Sequence, residues 1–502
     1  MKKLLPSLVI LAVVALYASF INNKLKFGSD AVDYYRLAES ICAGNGYTID
    51  GQFISKWPPV TPTLMAVGLG LFNNDVGGQK VLLGSLALAG LVVAYMLLAR
   101  RGNTRLSALA VILTAVSFPF IYWVWDISSE GAYFFFTMLA LWLGHRGFEQ
   151  PTKLGWALGA GLAFGLAILS RTVGIALLAG YALYAAVSFL RLRQAALRPA
   201  ILGLVPALLL AGGWFWYGKQ RGGEGSVAAY SKYGFRPDTY DPTGKAGLKT
   251  SLAQIKQNVQ GYAFIFSIPD ASLRMKKMNR LNAKGLLSVL IMSLAVVGYG
   301  YHLCRRTELP ECYLLAYGGI LLLFNWYDIR YVVPVLPLLF YYLGWTVGRI
   351  FEWVSHLLHR PIWAAPATTG VLLLLILANA GISTLSKPAK RLRSPKYDGP
   401  AGELHEAALW IKANDPNAVV MCRWANMTWF WTRQEIVGVP LLANPDGMWQ
   451  HMREKKVTLV IADPDEFSGV TGKFLEPALK RHADEVELAK TFGKTRVYRL
   501  KS

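Results

Sequence analysis

About eleven apolar runs, each near the length needed to cross a bilayer, are strung along this 502-residue chain. They fall at roughly 4–21, 79–99, 106–121, 131–144, 154–169, 173–190, 200–217, 285–303, 312–325, 331–350 and 363–383. Several are short, so their number holds to within about two. A soluble domain has nowhere to bury so many apolar helices, and lipid admits only helices or closed barrels. The expected fold class is therefore a polytopic α-helical membrane protein. The first run, 4–21, reads as a span rather than a cleavable signal peptide, since no small-x-small site follows it.

Orientation follows from the short connections. Every second one is Arg-rich: Arg100, Arg101 and Arg105, then Arg146 and Lys153, then Arg191, Arg193 and Arg198, then Arg305 and Arg306, then Arg349 and Arg360. The intervening short connections carry only Arg171 and Arg330. The positive-inside rule places the Arg-rich set in the cytoplasm, with Lys2 and Lys3 beside it. An odd number of spans then puts the C-terminus outside, in an inner (cytoplasmic) membrane of prokaryotic type. Trp123, Trp125, Trp326 and Tyr327 stand where aromatic residues commonly line the interface.

Three polar parts are expected on the outer face: loops 23–78 and 218–284 within a membrane domain 1–383, and a soluble domain 384–502. The middle loop carries far more Lys and Arg than acids, which suits anionic headgroups or phosphates. The overall charge of +22 is spread over loops on both faces, so it does not point to nucleic acid. Cys42, Cys304, Cys312 and Cys422 lack metal-ligand spacing, and the histidines form no HExxH-like cluster. Cys42 and Cys422 would both be external and could pair.

The C-terminal part differs in kind. Helical periodicity over Glu403–Asn414, buried strands over Ala418–Arg423 and Val457–Ala462, and a closing pair at Val486–Phe492 and Thr495–Leu500 predict a small α/β domain. Helices near 445–454 and 471–484 separate these strands, and no glycine-rich phosphate loop precedes them.

Loop 23–78 is long for a connector, and such loops tend to be functional. Tyr34, Leu37, Ala38 and Ile41 would share a helical face, Ser29 can cap the helix, and Asp30 and Asp33 sit in its first turn. A Gly44-Asn45-Gly46-Tyr47 turn and a Lys56-Trp57-Pro58-Pro59 break follow. Further on come WDISSEGAYFFF with Asp126 and Glu130, SRTVG with Arg171, and an Arg-Tyr-x-x-Pro-x-x-Pro element from Arg330 to Pro337.

In this order and on one side of the membrane, these motifs resemble the GT-C glycosyltransferase superfamily. The resemblance is to its branch of protein O-mannosyltransferases and lipid A aminoarabinose transferase. Only one Asp-Tyr pair, Asp30 and Tyr34, matches; Ala31 stands where an Asp-Glu doublet would continue. The resemblance implies transfer of a sugar from a polyprenyl-phosphate donor to a hydroxyl acceptor (glycolipid, polysaccharide or protein) at the outer face. It implies no resident cofactor and leaves a divalent cation open. Asp30 is the expected base. Tyr34, Lys56, Glu130, Arg171, Arg330 and Tyr331 are the expected substrate-binding residues.

The residue chemistry is compatible. An attacking hydroxyl needs a base, whereas a lipid phosphate leaves without a general acid, unlike the leaving group of a glycoside hydrolase. Cations answer the phosphate charge. The rival readings are a transporter or flippase of a lipid-linked saccharide, and a polysaccharide ligase or polymerase using a lipid-pyrophosphate donor. Transporters place ionisable groups at the midplane of broken helices and show internal repeats. Here the acids gather at the outer span ends.

Overall fold

The computed structural model describes residues 4–27, 30–72, 75–221, 248–265, 283–324, 328–359, 363–464 and 469–501. The expected Ser29 cap, Trp326, Tyr327 and the greater part of the basic middle loop lie outside these. The chain forms two compact units, one of Met1–Ile21 and Tyr34–Arg393, the other of Asn22–Asp33 and Ser394–Ser502. The second unit thus includes a stretch of loop 23–78.

In the first unit a helix occupies every predicted apolar run. They are Leu4–Ala18, Val76–Ala99, Thr104–Val116 with Phe118–Val124, Glu130–Glu149, Leu154–Ser170 and Ile175–Leu192, followed by Leu197–Gln220, Ala283–Arg305, Leu309–Leu323, Leu336–Leu357 and Ala364–Leu385. Among the described residues 6 helices are long and apolar enough to cross a membrane unaided, or 7 if the pair bent by 60° at Ser117 is one span. The bend has a local cause: Ser117 is extended, and Pro119 enters at the start of the next helix. A further apolar helix, Val60–Phe72, starts directly after Pro58-Pro59.

Buried tyrosines tie the helices together. Tyr17 donates to Ala115 O at 2.9 Å, Tyr181 to Pro199 O at 2.7 Å and Tyr317 to Tyr331 O at 2.7 Å. Each gives an interior hydroxyl the partner it must have. Arg101 is more than the surface charge expected. Its guanidinium is buried, 2.7 Å from Glu311 and 3.1 Å from Glu308, and Tyr342 donates to Glu311 at 2.6 Å.

Loop 23–78 is folded over its described residues. Helix Ala31–Cys42 buries Tyr34, Tyr35, Leu37 and Ala38 but leaves Ile41 partly open. Gly44 and Gly46 adopt φ of +76° and +75°, conformations only glycine takes without strain. A two-residue hairpin, β1 (Thr48–Ile49) and β2 (Gln52–Phe53), follows. Its Asp50-Gly51 corner is a standard tight-turn pair, and Asp50 is ion-paired with Arg36.

The second unit has a five-stranded mixed sheet in the order β4-β3-β5-β7-β6. The strands are β3 (Val420–Cys422), β4 (Ile436–Gly438), β5 (Leu459–Ala462), β6 (Val486–Phe492) and β7 (Thr495–Leu500). The first three run parallel, and the last two form an antiparallel hairpin against β5. Helices Pro400–Asn414, Ala425–Thr432, Pro445–Glu454 and Glu476–Arg481 accompany the sheet. The sequence reading missed β4 and the Ala425–Thr432 helix. Both are short, and Trp429, Phe430 and Trp431 hide the helix's period. Cys422 and Cys42 do not pair. Cys422 is buried and donates to Thr428 at 3.2 Å, and Cys42 donates to Ala66 O at 3.1 Å.

Candidate active site

The motif WDISSEG ends in a helix N-terminus, and this places Glu130 in the first turn of Glu130–Glu149 with only 3% of its surface exposed. A buried carboxylate needs a partner, and Arg171 provides it. Arg171 caps the end of Leu154–Ser170 in an extended conformation, donates to Glu130, and reaches Ser129 at 3.4 Å. Its guanidinium lies 5.5 Å from the ring centroid of Tyr331.

Arg330 approaches the same ring, at 5.2 Å, and the ring of Trp123 at 5.8 Å. Its Nη2 donates to the Tyr331 hydroxyl at 3.3 Å, and its Nε is 3.4 Å from Asp328. The carbonyl of Tyr331 is itself held by Tyr317. Glu130, Arg171, Arg330 and Tyr331 therefore form one cluster, with both guanidinium groups near the Tyr331 ring. Such an arrangement can bind an anion bidentately while one arginine remains charge-compensated.

Tyr34 and Lys56 form a second group. Tyr34 is buried edge-on to Trp57, with centroids 5.6 Å apart, and Lys56 is exposed with its ammonium 4.3 Å over the same indole. Tyr47 donates to the carbonyl of Trp57 at 2.9 Å, so the glycine turn fixes the Pro-Pro break. Burial pushes the Tyr47 hydroxyl well above its ordinary pKa, and it remains a neutral donor. Lys56 does not join the arginine cluster. Just beyond the break, Val60 packs with Ala132 and Leu169, each two residues from Glu130 or Arg171, so apolar contact ties the break to the helix ends bearing that pair.

Sequence reasoning overlooked Lys80. The apolar helix starts at Val76, capped by Asp75, so Lys80 lies within its second turn with 5% exposure. Its Nζ is 4.0 Å from Asp126, also buried. The available signal was a lone cation at the head of an otherwise uncharged span. Helix Val76–Ala99 approaches the Glu130 end closely: a Cβ on Gly131 would meet Leu83 O at 2.8 Å. Beside Lys80, Gln79 is fully buried, and neither of its amide atoms has a hydrogen-bond partner among the described residues. Ser55 and Thr61 likewise present buried hydroxyls with no partner among the described residues, on either side of the Pro-Pro break. Buried polar atoms of this kind ordinarily find water or a ligand.

Asp30 belongs to the second unit, half-buried immediately before helix Ala31–Cys42. Among the described residues no group of three or more His, Cys, Asp or Glu side chains is placed to hold a metal ion.

Residues 56–216 match the family model described as dolichyl-phosphate-mannose-protein mannosyltransferase. No curated protein matches the sequence. The fold is similar to that of ArnT from Cupriavidus metallidurans in the apo state, with TM-score 0.62, 14% identity, and coverage of 99% of this chain and 98% of that one. For ArnT bound to undecaprenyl phosphate the TM-score is 0.60 at 14% identity, with the same coverage. The archaeal oligosaccharyltransferase AglB from Archaeoglobus fulgidus, in complex with an inhibitory peptide and a dolichol-phosphate, gives 0.57 at 13% identity. That likeness covers 92% of this chain and 69% of AglB. At such identities the likeness is one of fold.

Proposed function

We propose that this chain is an inverting membrane glycosyltransferase of the GT-C type, moving a sugar from a polyprenyl-phosphate carrier to a hydroxyl acceptor at the outer face. The observation that carries the reading is the buried Glu130–Arg171 pair sharing Tyr331 with Arg330. It supplies a preorganised cationic seat where helix ends meet. The family match and the fold, shared with proteins whose structures hold undecaprenyl phosphate or dolichol-phosphate, support the choice of donor.

In the proposed reaction the carboxylate of Asp30 takes the acceptor O–H proton as that oxygen attacks the anomeric carbon. The bond from that carbon to the phosphate oxygen breaks, and its electron pair leaves with the lipid phosphate. Arg171 and Arg330 receive the charge, with Lys80 added to the expected set and Lys56 at the acceptor or headgroup side. Tyr34 and Tyr331 shape the sugar-facing wall, and Glu130 keeps Arg171 oriented. The same reading includes about eleven spans, a cytoplasmic N-terminus and an extracytoplasmic C-terminal domain.

The deciding experiment incubates the purified protein with a panel of polyprenyl-phosphate sugars and follows release of polyprenyl phosphate. Release coupled to acceptor glycosylation supports the enzyme. Movement of an intact lipid-linked saccharide across vesicles without release would favour a flippase instead.

A further inference from the structure

The segment carrying Asp30 is built into the C-terminal unit. Residues Asn22–Asp33 cluster with Ser394–Ser502 although hundreds of residues separate them in sequence. The attachment is specific. The Tyr397 hydroxyl accepts from the Leu25 N–H at 3.2 Å and donates to the Leu25 C=O at 3.1 Å, closing both main-chain groups of one residue. The Leu25 side chain is fully buried, and Lys24 Nζ donates to Lys396 O at 3.2 Å. The Phe27 ring packs 4.4 Å from Trp424 and 6.3 Å from Trp431, with His405 4.8 Å from Trp431 behind them. Asn426 Nδ2 donates to Asp33 Oδ1 at 2.8 Å.

These anchors fall on both sides of Asp30, at Phe27 before it and Asp33 after it. They also fall at a particular place in the sheet. Strand β3 is flanked by its parallel neighbours β4 and β5, so the chain departs to one side of it and returns on the other. Trp424 and Asn426 lie just beyond the carboxyl end of β3. Open α/β sheets ordinarily receive ligands at such a switch point. Here the occupant is the chain's own juxtamembrane segment.

We infer that the C-terminal unit is a positioning element for Asp30: Tyr397, Trp424 and Asn426 hold the residues on either side of it and so set where its carboxylate stands. This rests on Asp30 being the base proposed above. Residues Ala31–Asp33, which open helix Ala31–Cys42, belong to the C-terminal unit with their anchors. Tyr397, Trp424 and Asn426 are positioning residues and need touch no substrate. A misplacement of the base by about 1 Å is enough to lower turnover by up to about 100-fold.

The test uses the full-length protein in nanodiscs with Tyr397→Phe, Asn426→Ala, Asn426→Asp and the exchanged pair Asp33→Asn with Asn426→Asp. Three quantities are read: kcat with a polyprenyl-phosphate sugar, Kd for polyprenyl phosphate, and amide exchange at Leu25. Tyr397→Phe keeps the ring against His405 and Trp431 and removes only the oxygen. It should speed exchange at Leu25 and lower kcat about tenfold, with Kd within about twofold of wild type. Asn426→Asp sets two carboxylates face to face and should be worse than Asn426→Ala, and the exchanged pair should recover most of the loss. Unchanged exchange at Leu25 in Tyr397→Phe overturns the anchoring. Faster exchange with wild-type kcat overturns the positioning role. If wild type transfers no sugar at all, the proposed function fails, and exchange at Leu25 still decides whether the segment is held.

Discussion

Lys80 Nζ stands 4.0 Å from the carboxylate of Asp126, and both side chains are buried. Neither charge is tolerable alone in such a place, and removing one partner of a buried pair ordinarily costs about 3–5 kcal/mol. Asp126→Asn should therefore lower the thermal midpoint sharply, while Lys80→Met with Asp126→Leu should fold nearly as well as wild type. Scanning fluorimetry in detergent reads both. Equal midpoints for wild type and Asp126→Asn would show that the pair is not coupled.

The second prediction concerns Asp30. Asp30→Asn keeps size and helix-start chemistry but cannot accept the acceptor proton, so transfer should fall to background. Expression, membrane insertion and affinity for polyprenyl phosphate should stay near wild type. A turnover assay showing substantial residual activity would move the base elsewhere.

Arg171 and Arg330 should respond differently from each other. Arg330→Lys keeps a charge but loses the fork, so transfer should drop without loss of stability. Arg330→Ala should be worse, by a charge-assisted hydrogen bond of about 1.5–3 kcal/mol. Arg171→Ala should also destabilise the protein, because the buried Glu130 loses its ion pair with Arg171. Arg171→Ala combined with Glu130→Gln should regain stability but not activity. Substituting Arg198 or Arg305 should leave turnover unchanged. If all the arginine variants behave alike in the paired turnover and melting assays, Arg171 and Arg330 serve only as interfacial anchors.

A pH dependence follows from His405, which packs between Tyr397 and Trp431 with Glu406 as its charged neighbour. Burial lowers its pKa below the ordinary value of about 6.5, and Glu406 opposes this only in part. The unfolded chain therefore takes up the proton first as pH falls. Stability contributed by neutral His405 is fully present above about pH 6.5 and is lost progressively below it. Exchange protection at Leu25 should weaken over the same window, and His405→Gln should flatten the response. A pH-independent protection in wild type would remove His405 from the anchor.

Orientation can be checked directly. Phosphatase fusions after Lys24 and at the C-terminus should be active, and those after Arg101, Arg193 and Arg306 inactive. An inactive C-terminal fusion would put the sheet in the cytoplasm and undo the proposed chemistry.

Hydrophobic length and charge asymmetry are local quantities, so the polytopic class, the place of each apolar helix and the β6–β7 hairpin could be read from the sequence alone. The candidate residues were visible for the same reason: Glu130, Arg171 and Arg330 are isolated charges at the ends of apolar runs. Which charge meets which was not visible. Arg171 faces Glu130, Lys80 faces Asp126, and Arg101 faces Glu311 across long sequence separations, and no periodicity encodes a partner on another helix. Lys56 and Arg171 looked alike in the sequence, yet one is exposed over an indole and the other is locked to a buried acid. The attachment of Asn22–Asp33 to the C-terminal sheet belongs wholly to tertiary structure. A tyrosine hydroxyl that closes both main-chain groups of Leu25 leaves no trace in the residues around either, because the bond depends on how two distant segments are packed and not on what each prefers by itself.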